Sequence, residues 1–142
     1  MTNNNVRLRI ILLRHGESEN NLHHEVSLQA FEEHRIPDPS MTDRGKTQIQ
    51  YAANYFKSGS NALLQNIDSM YVSPMLRTLQ TAAPVADALQ LKPIVWTNIY
   101  EISGVHDRGM GQPGMRRLEM QEKFPNYHIP PEVTERGWYD VE

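Results

Sequence analysis

The sequence predicts an α/β fold of three layers, a mainly parallel sheet with helices on both faces. Two observations carry this. Apolar segments of strand and helical character alternate along the chain, in the order strand, helix, strand, helix, strand. The first of them, Leu8 to Leu13, is nearly continuous rather than alternating in its apolarity. That texture suits a strand covered on both sides, as in a parallel sheet between helices.

The elements follow in order. The strand Leu8 to Leu13 ends at Arg14-His15-Gly16, where glycine permits a turn and close approach of the backbone to a ligand. Ser18 to His34 is polar with scattered apolar residues and reads as a partly helical excursion, closed by the loop Pro37-Asp38-Pro39-Ser40. From Thr42 the period becomes helical. Ile49, Ala52, Ala53 and Phe56 share one face, Thr42 or Asp43 caps the start, and Gly59 helps to end it. Met70-Tyr71-Val72 reads as a second strand. Ser73-Pro74 then opens a helix, as N-cap and first helical position, whose buried face is Leu76, Leu79, Ala83 and Ala86. Pro84 lies inside that pattern and is expected to kink or end the helix nearby. Pro93 to Trp96 is the third strand. Gly104 to Gly114, with four glycines and one proline, reads as a long loop, and Arg116 to Phe124 as a short helix.

At 142 residues the chain suits one compact domain. Its 14 Lys and Arg stand against 17 Asp and Glu without a basic cluster, so no nucleic-acid partner is expected. The absence of cysteine excludes disulfides and thiolate metal sites. Met1 to Asn5 carries no apolar targeting core, and the longest apolar run, Ile10 to Leu13, is far too short to cross a bilayer. The expectation is a cytoplasmic protein with no membrane partner.

Four groups carry chemistry, and each falls at an element end. They are Arg14-His15-Gly16-Glu17-Ser18 with Asn21, Ser73 to Thr78, Glu101, and the glycine-rich loop. Ligands of open α/β sheets bind beyond the carboxyl ends of the strands, so the first three are expected to converge. The chemistry that suits them is phosphoryl transfer. A phosphate monoester brings close to two negative charges. Arginine forks match its oxygens, and Arg14 and Arg77 are the candidates. N–H groups at the start of the helix after Ser73 would add to this, as would the Asn21 amide. His15 would attack phosphorus as a neutral imidazole, a form that two nearby arginines favour. Glu101 would protonate the leaving alkoxide and then act as base toward water. The other histidines, His23, His24, His34, His106 and His128, show no metal spacing. Met110 and Met115 read as packing residues.

At these residues the chain resembles the histidine phosphatase superfamily, which includes the cofactor-dependent phosphoglycerate mutases. Arg14-His15-Gly16-Glu17-Ser18 with Asn21 matches the opening motif Arg-His-Gly-Glu-Ser-x-x-Asn. Met41-Thr42-Asp43-Arg44-Gly45 resembles the Leu-Thr-x-x-Gly helix start. The run from Ser73 to Ala82 matches Ser-Pro-x-x-Arg-Thr-x-Gln-Thr-Ala. The resemblance covers Arg7 to Gly104. It implies a phosphoglycerate mutase-like fold, His15 as nucleophile, Glu101 as proton donor, and Arg14, Asn21 and Arg77 as phosphate ligands. It implies no metal and no cofactor, and a small phosphorylated substrate or a phosphoprotein. The family's mutases follow their glutamate with an Arg-His-Tyr-Gly-Gly type run. Glu101-Ile102-Ser103-Gly104-Val105 departs from it, which favours phosphomonoester hydrolysis over mutase-like phosphoryl transfer.

One departure bears on completeness. The family places a second histidine in a His-Gly motif after a later strand, and neither His106 nor His128 has that setting. In the family that strand lies between the strand before His15 and the strand before Ser73. Residues 1–142 therefore read as the N-terminal part of a single, incomplete domain, a truncated form or one piece of a longer protein. The alternatives are a second chain or swapped copy that completes the sheet, or direct pairing of the two strands. A truncated chain of this kind could also serve as a catalytically weak phosphate-binding or interaction module.

Overall fold

The computed structural model describes residues 8–101, 104–107 and 109–139. Residues 102–103, on which part of the comparison with mutases rests, lie outside the described residues. Helix α1 (Glu19–Val26) and helix α2 (Leu28–His34) pack against each other as a hairpin. They turn at Ser27, whose hydroxyl accepts the Ala30 N–H at 2.9 Å. Helix α3 (Asp43–Ser58) forms as its period predicts. Thr42 Oγ1 accepts the Gly45 N–H at 3.0 Å, and Gly59 closes the helix at φ +62°, a conformation that glycine adopts without strain.

Strand β1 (Tyr71–Val72) pairs in parallel with β2 (Ile94–Val95), in the register Tyr71 to Ile94 and Val72 to Val95. The chain returns beside β2 at His128, whose N–H donates to Pro93 O and whose carbonyl accepts from Val95 N. Helix α4 (Leu76–Leu89) joins β1 to β2 and is buried on two sides. Leu79 and Ala82 enter one core with Val72, Val95, Met120, Val133 and Trp138. Val85 enters a second with Met41, Ile49 and Ala53 of the α3 region. Leu79 is fully buried, a contribution of about 2 kcal/mol from transfer alone. This two-sided burial makes α4 the fixed element against which the site is built. Helix α5 (Arg117–Lys123) adds Met120 to the first core.

Several expectations are corrected. Leu8 to Leu13 forms no ladder among the described residues, and Leu8, Ile10 and Leu12 are 83%, 71% and 91% exposed. Apolarity alone does not make a strand; the backbone needs a partner edge, and among the described residues no direct pairing with the strand before Ser73 forms. The three-layer, mainly parallel sheet is accordingly reduced to a mixed α/β arrangement of five helices and two two-stranded sheets among the described residues. The second sheet is antiparallel, β3 (His106–Asp107) with β4 (Met110–Gly111), inside the stretch expected to be loop. Strands of two residues show no period, so composition hides them. Helix α4 continues through Pro84 to Leu89 without ending there, because its buried faces outweigh one lost backbone bond. Met115 packs in the core as expected, but Met110 is 66% exposed. No helix among the described residues is long and apolar enough to cross a membrane.

Candidate active site

The turn that carries His15 is gripped from two helices. Thr81 Oγ1, buried in α4, accepts the Gly16 N–H at 3.1 Å and donates to Arg77 O at 2.7 Å. From α3, Gln48 Oε1 accepts the Glu17 N–H at 2.9 Å, and Thr42 N donates to Glu17 O at 2.9 Å. The Glu17 carboxylate accepts from Thr42 Oγ1 at 2.6 Å and from Arg44 at 3.0 Å. The grip leaves no room for side chains at its centre. A Cβ on Gly16 would lie 2.6 Å from Gly45 O, and one on Gly45 would lie 2.1 Å from Glu17 O.

Within this turn the ring of His15 has a defined direction. Its Nδ1 lies 2.7 Å from Gly16 O. A carbonyl only accepts, so Nδ1 carries the proton and Nε2 presents its lone pair. Arg77 Nε donates to that lone pair at 3.2 Å. Burial pushes the His15 pKa below its ordinary value, and the charges of Arg77 and Arg14 push the same way. The bond to Gly16 O and the Glu101 carboxylate oppose them without reversing the direction. The neutral, nucleophilic ring is thus the favoured form near neutrality.

Arg77, 6% exposed, is far from the surface position that its helix alone would suggest. Its Nη2 donates to Glu101 Oε2 at 2.8 Å, so one guanidinium touches both His15 and Glu101. Asn21 Oδ1 accepts from the backbone N–H and the hydroxyl of Ser18, at 3.0 and 2.9 Å, which leaves its Nδ2 donors for a ligand. Arg14 makes no hydrogen bond or ion pair among the described residues. Arg14, His15, Asn21, Arg77 and Glu101 all line one cleft of about 780 Å³. Arg35 and His106 line it too, joined by Arg35 Nη1 to His106 O at 2.8 Å. The five predicted residues are therefore brought together. Among the described residues no group of three or more metal-ligating side chains gathers.

The helix after Ser73 starts later than predicted, and its first N–H is not open to an anion. It begins at Leu76, with Met75 as its N-cap, and the Leu76 N–H is already taken by Asp38 Oδ1 at 2.8 Å. Asp38 and Thr81 are the structural contributors that sequence reasoning left without a role. Thr81 stands inside the run from Ser73 to Ala82, but only the fold reveals that it meets Gly16. Nothing in the local sequence of Asp38 points to α4.

The profile of the histidine phosphatase superfamily (branch 1) matches residues 10–136. Phosphoserine phosphatase 1 of Hydrogenobacter thermophilus is 33% identical over 118 residues, which cover 83% of this chain and 47% of that protein. The crystal structure of the ecdysone phosphate phosphatase of Bombix mori, in complex with tungstate, superposes with a TM-score of 0.50 at 19% identity. The match covers 96% of this chain and 48% of that one. The chain thus spans about half the length of the curated relative and of the solved structure that it matches.

Proposed function

The chain belongs to the histidine phosphatase superfamily, branch 1, and on that premise we propose that it forms the N-terminal part of a phosphomonoester hydrolase domain working through a phosphohistidine on His15. The observation that carries the reading is the ring of His15: Nδ1 is held by Gly16 O, and Nε2 faces Arg77, whose guanidinium also holds Glu101. A phosphate group entering the cleft takes over the Arg77 fork, with Arg14 and the Asn21 amide as further donors. In the first step the Nε2–P bond forms as the bond from phosphorus to the ester oxygen breaks. A protonated Glu101 gives its proton to that oxygen, releasing the alcohol. In the second step water attacks phosphorus, Glu101 takes its proton, and the Nε2–P bond breaks to return neutral His15 and inorganic phosphate. The side chain of Glu101 is 60% exposed, so the ester oxygen and the attacking water can both reach it.

The cleft is large enough for a whole small metabolite. We read the substrate as a small phosphorylated molecule, in keeping with the name of the phosphoserine phosphatase relative. A chromogenic phosphate ester tests the reading. The chain should trap labelled phosphate on His15 and release the chromophore, and His15→Ala should do neither. Glu101→Gln should slow esters of poorly acidic alcohols by about a hundredfold or more, while sparing a highly activated leaving group. Full turnover by His15→Ala would overturn the mechanism.

A further inference from the structure

Arg77 reaches His15 from the first turn of α4, and that turn has no side-chain cap of its own. The Leu76 N–H, one residue before Arg77, is taken instead by the Asp38 carboxylate, which arrives from a loop 38 residues away. Proline on each side restricts the backbone of Asp38, and Pro39 is fully buried. The residues that follow are tied to the next turn of the same helix. Gln80 Oε1 accepts from Met41 N at 2.7 Å, and Gln80 Nε2 donates to Ser40 Oγ at 2.8 Å. The segment from Asp38 to Met41 is thus clasped along the two turns that carry Arg77 and Thr81.

The carboxylate itself is the unusual part. Asp38 is mostly buried and has no salt-bridge partner among the described residues. The charged groups that face it are Arg77 of α4 and Glu119 and Lys123 of α5, the last two paired with each other at 2.7 Å. Burial dominates and pushes the Asp38 pKa up to about 6. A neutral asparagine would cap Leu76 with the same oxygen and without the cost of desolvating a charge. The cap alone therefore does not call for a charged residue at this position.

We propose that Asp38 is a positioning residue of the phosphate site: its negative charge, set against the first turn of α4, holds Arg77 in reach of His15. An anion at a helix start is favoured by the backbone dipoles, so the ionised carboxylate fixes this turn more firmly than a neutral oxygen does. The inference rests on the reading of the cleft as a phosphate site.

The test is binding of inorganic phosphate to the chain, followed through the ring resonances of His15, in wild type, Asp38→Asn and Asp38→Ala between about pH 4.5 and 8. His15 and phosphate titrate in all three proteins, so the ratio of affinities isolates Asp38. At the acid end, where Asp38 is protonated, wild type and Asp38→Asn should bind equally. Above about pH 7 wild type should bind roughly fivefold tighter, the difference between a charged and a neutral acceptor. Asp38→Ala should be weaker at every pH. A residue that merely caps the helix gives a wild type to Asp38→Asn ratio that is flat with pH, and that result overturns the proposal. Wild type that binds no phosphate overturns the reading of the cleft itself, so the two failures are distinguishable. Asp38→Asn keeps the shape and the acceptor, so the outcome does not depend on Asp38→Ala folding.

Discussion

Replacing Gly45 by alanine sets an intrinsic preference against a steric one, and the structure decides between them. Gly45 sits in the first turn of α3, where alanine is ordinarily the better residue by about 1 kcal/mol. Here the added Cβ would stand 2.1 Å from Glu17 O and 2.9 Å from Glu17 N. Carbon and oxygen need roughly 3.5 Å, so the two backbones must part by more than about 1 Å. Both are fixed. The α3 side is held by packing of Ile49 and Ala53, and the Glu17 side by Thr42, Gln48 and Arg44. Forced overpacking of this kind costs about 1–3 kcal/mol, which exceeds the helical gain. Glu17 is two residues from His15, so the displacement passes into the turn that aims Nε2. A misplacement near 1 Å can lower a rate by about a hundredfold. The assays are a thermal melt and the rate of His15 phosphorylation by a chromogenic ester. Gly45→Ala should lower Tm and slow phosphorylation by one to two orders of magnitude. A Tm at or above that of wild type, with an unchanged rate, would refute the reasoning, because it would mean that the two backbones part without consequence.

Two further predictions follow from the same turn. Thr81→Val keeps the volume but removes the acceptor of the Gly16 N–H, leaving a buried donor unpaired; urea unfolding should lose about 1–3 kcal/mol with the denaturant slope unchanged, and an unaltered midpoint would remove Thr81 from the grip. The His15 ring should titrate below the ordinary histidine range, with the NMR midpoint moving upward in Arg77→Gln, because one of the charges that lowers it is gone. The sign for stability follows: a depressed pKa in the folded state means that the unfolded chain binds the proton first, so the contribution is present above the ordinary histidine pKa and is lost as pH falls below it. The acid limb of His15 phosphorylation should shift the same way as the midpoint, and a midpoint at or above the ordinary value would contradict the buried, cation-flanked ring.

What was legible in the sequence was what local physics decides. The period of Ile49, Ala52, Ala53 and Phe56, with Thr42 before it and Gly59 after it, specified α3 almost to the residue. The convergence of His15, Arg77 and Glu101 was readable from their places at element ends, and the cleft gathers them with Arg14 and Asn21. Long-range partners were not readable. Ser73-Pro74 has the local chemistry of a helix start, yet α4 begins at Leu76 because its first N–H meets a carboxylate from a loop 38 residues earlier. Pro84 reads as a breaker, yet Val85 and Ala86 beside it are buried and carry the helix onward. The run Leu8 to Leu13 reads as the most secure strand of all, yet its state depends on a neighbouring edge that no local pattern contains.

That last failure bears on how the site is held. In a parallel α/β sheet the turn after the first strand is usually positioned by the strand's own ladder. Here no ladder precedes Arg14 among the described residues, and still the His15 ring is oriented and in contact with Arg77. Most of the bonds that do this come from side chains, Thr81 to Gly16, Gln48 and Thr42 to Glu17, and Asn21 to Ser18, joined by the backbone bond from Thr42 N to Glu17 O. Their donors and acceptors lie on α1, α3 and α4, or on the residue that caps α3. The close approach of Gly16 to Gly45 locks the same turn sterically. The His15 ring is therefore fixed by helices and glycines, and the sheet's part in the site is to place β1 and β2 so that α4 and Glu101 face that turn. This division gives a structural part to the glycine, the glutamate and the serine around His15, which the proposed steps do not use. Gly16 lets the turn close onto Gly45, the Glu17 carboxylate ties it to Thr42 and Arg44, and the Ser18 hydroxyl ties it to Asn21, so that together they present one ring nitrogen to the cleft.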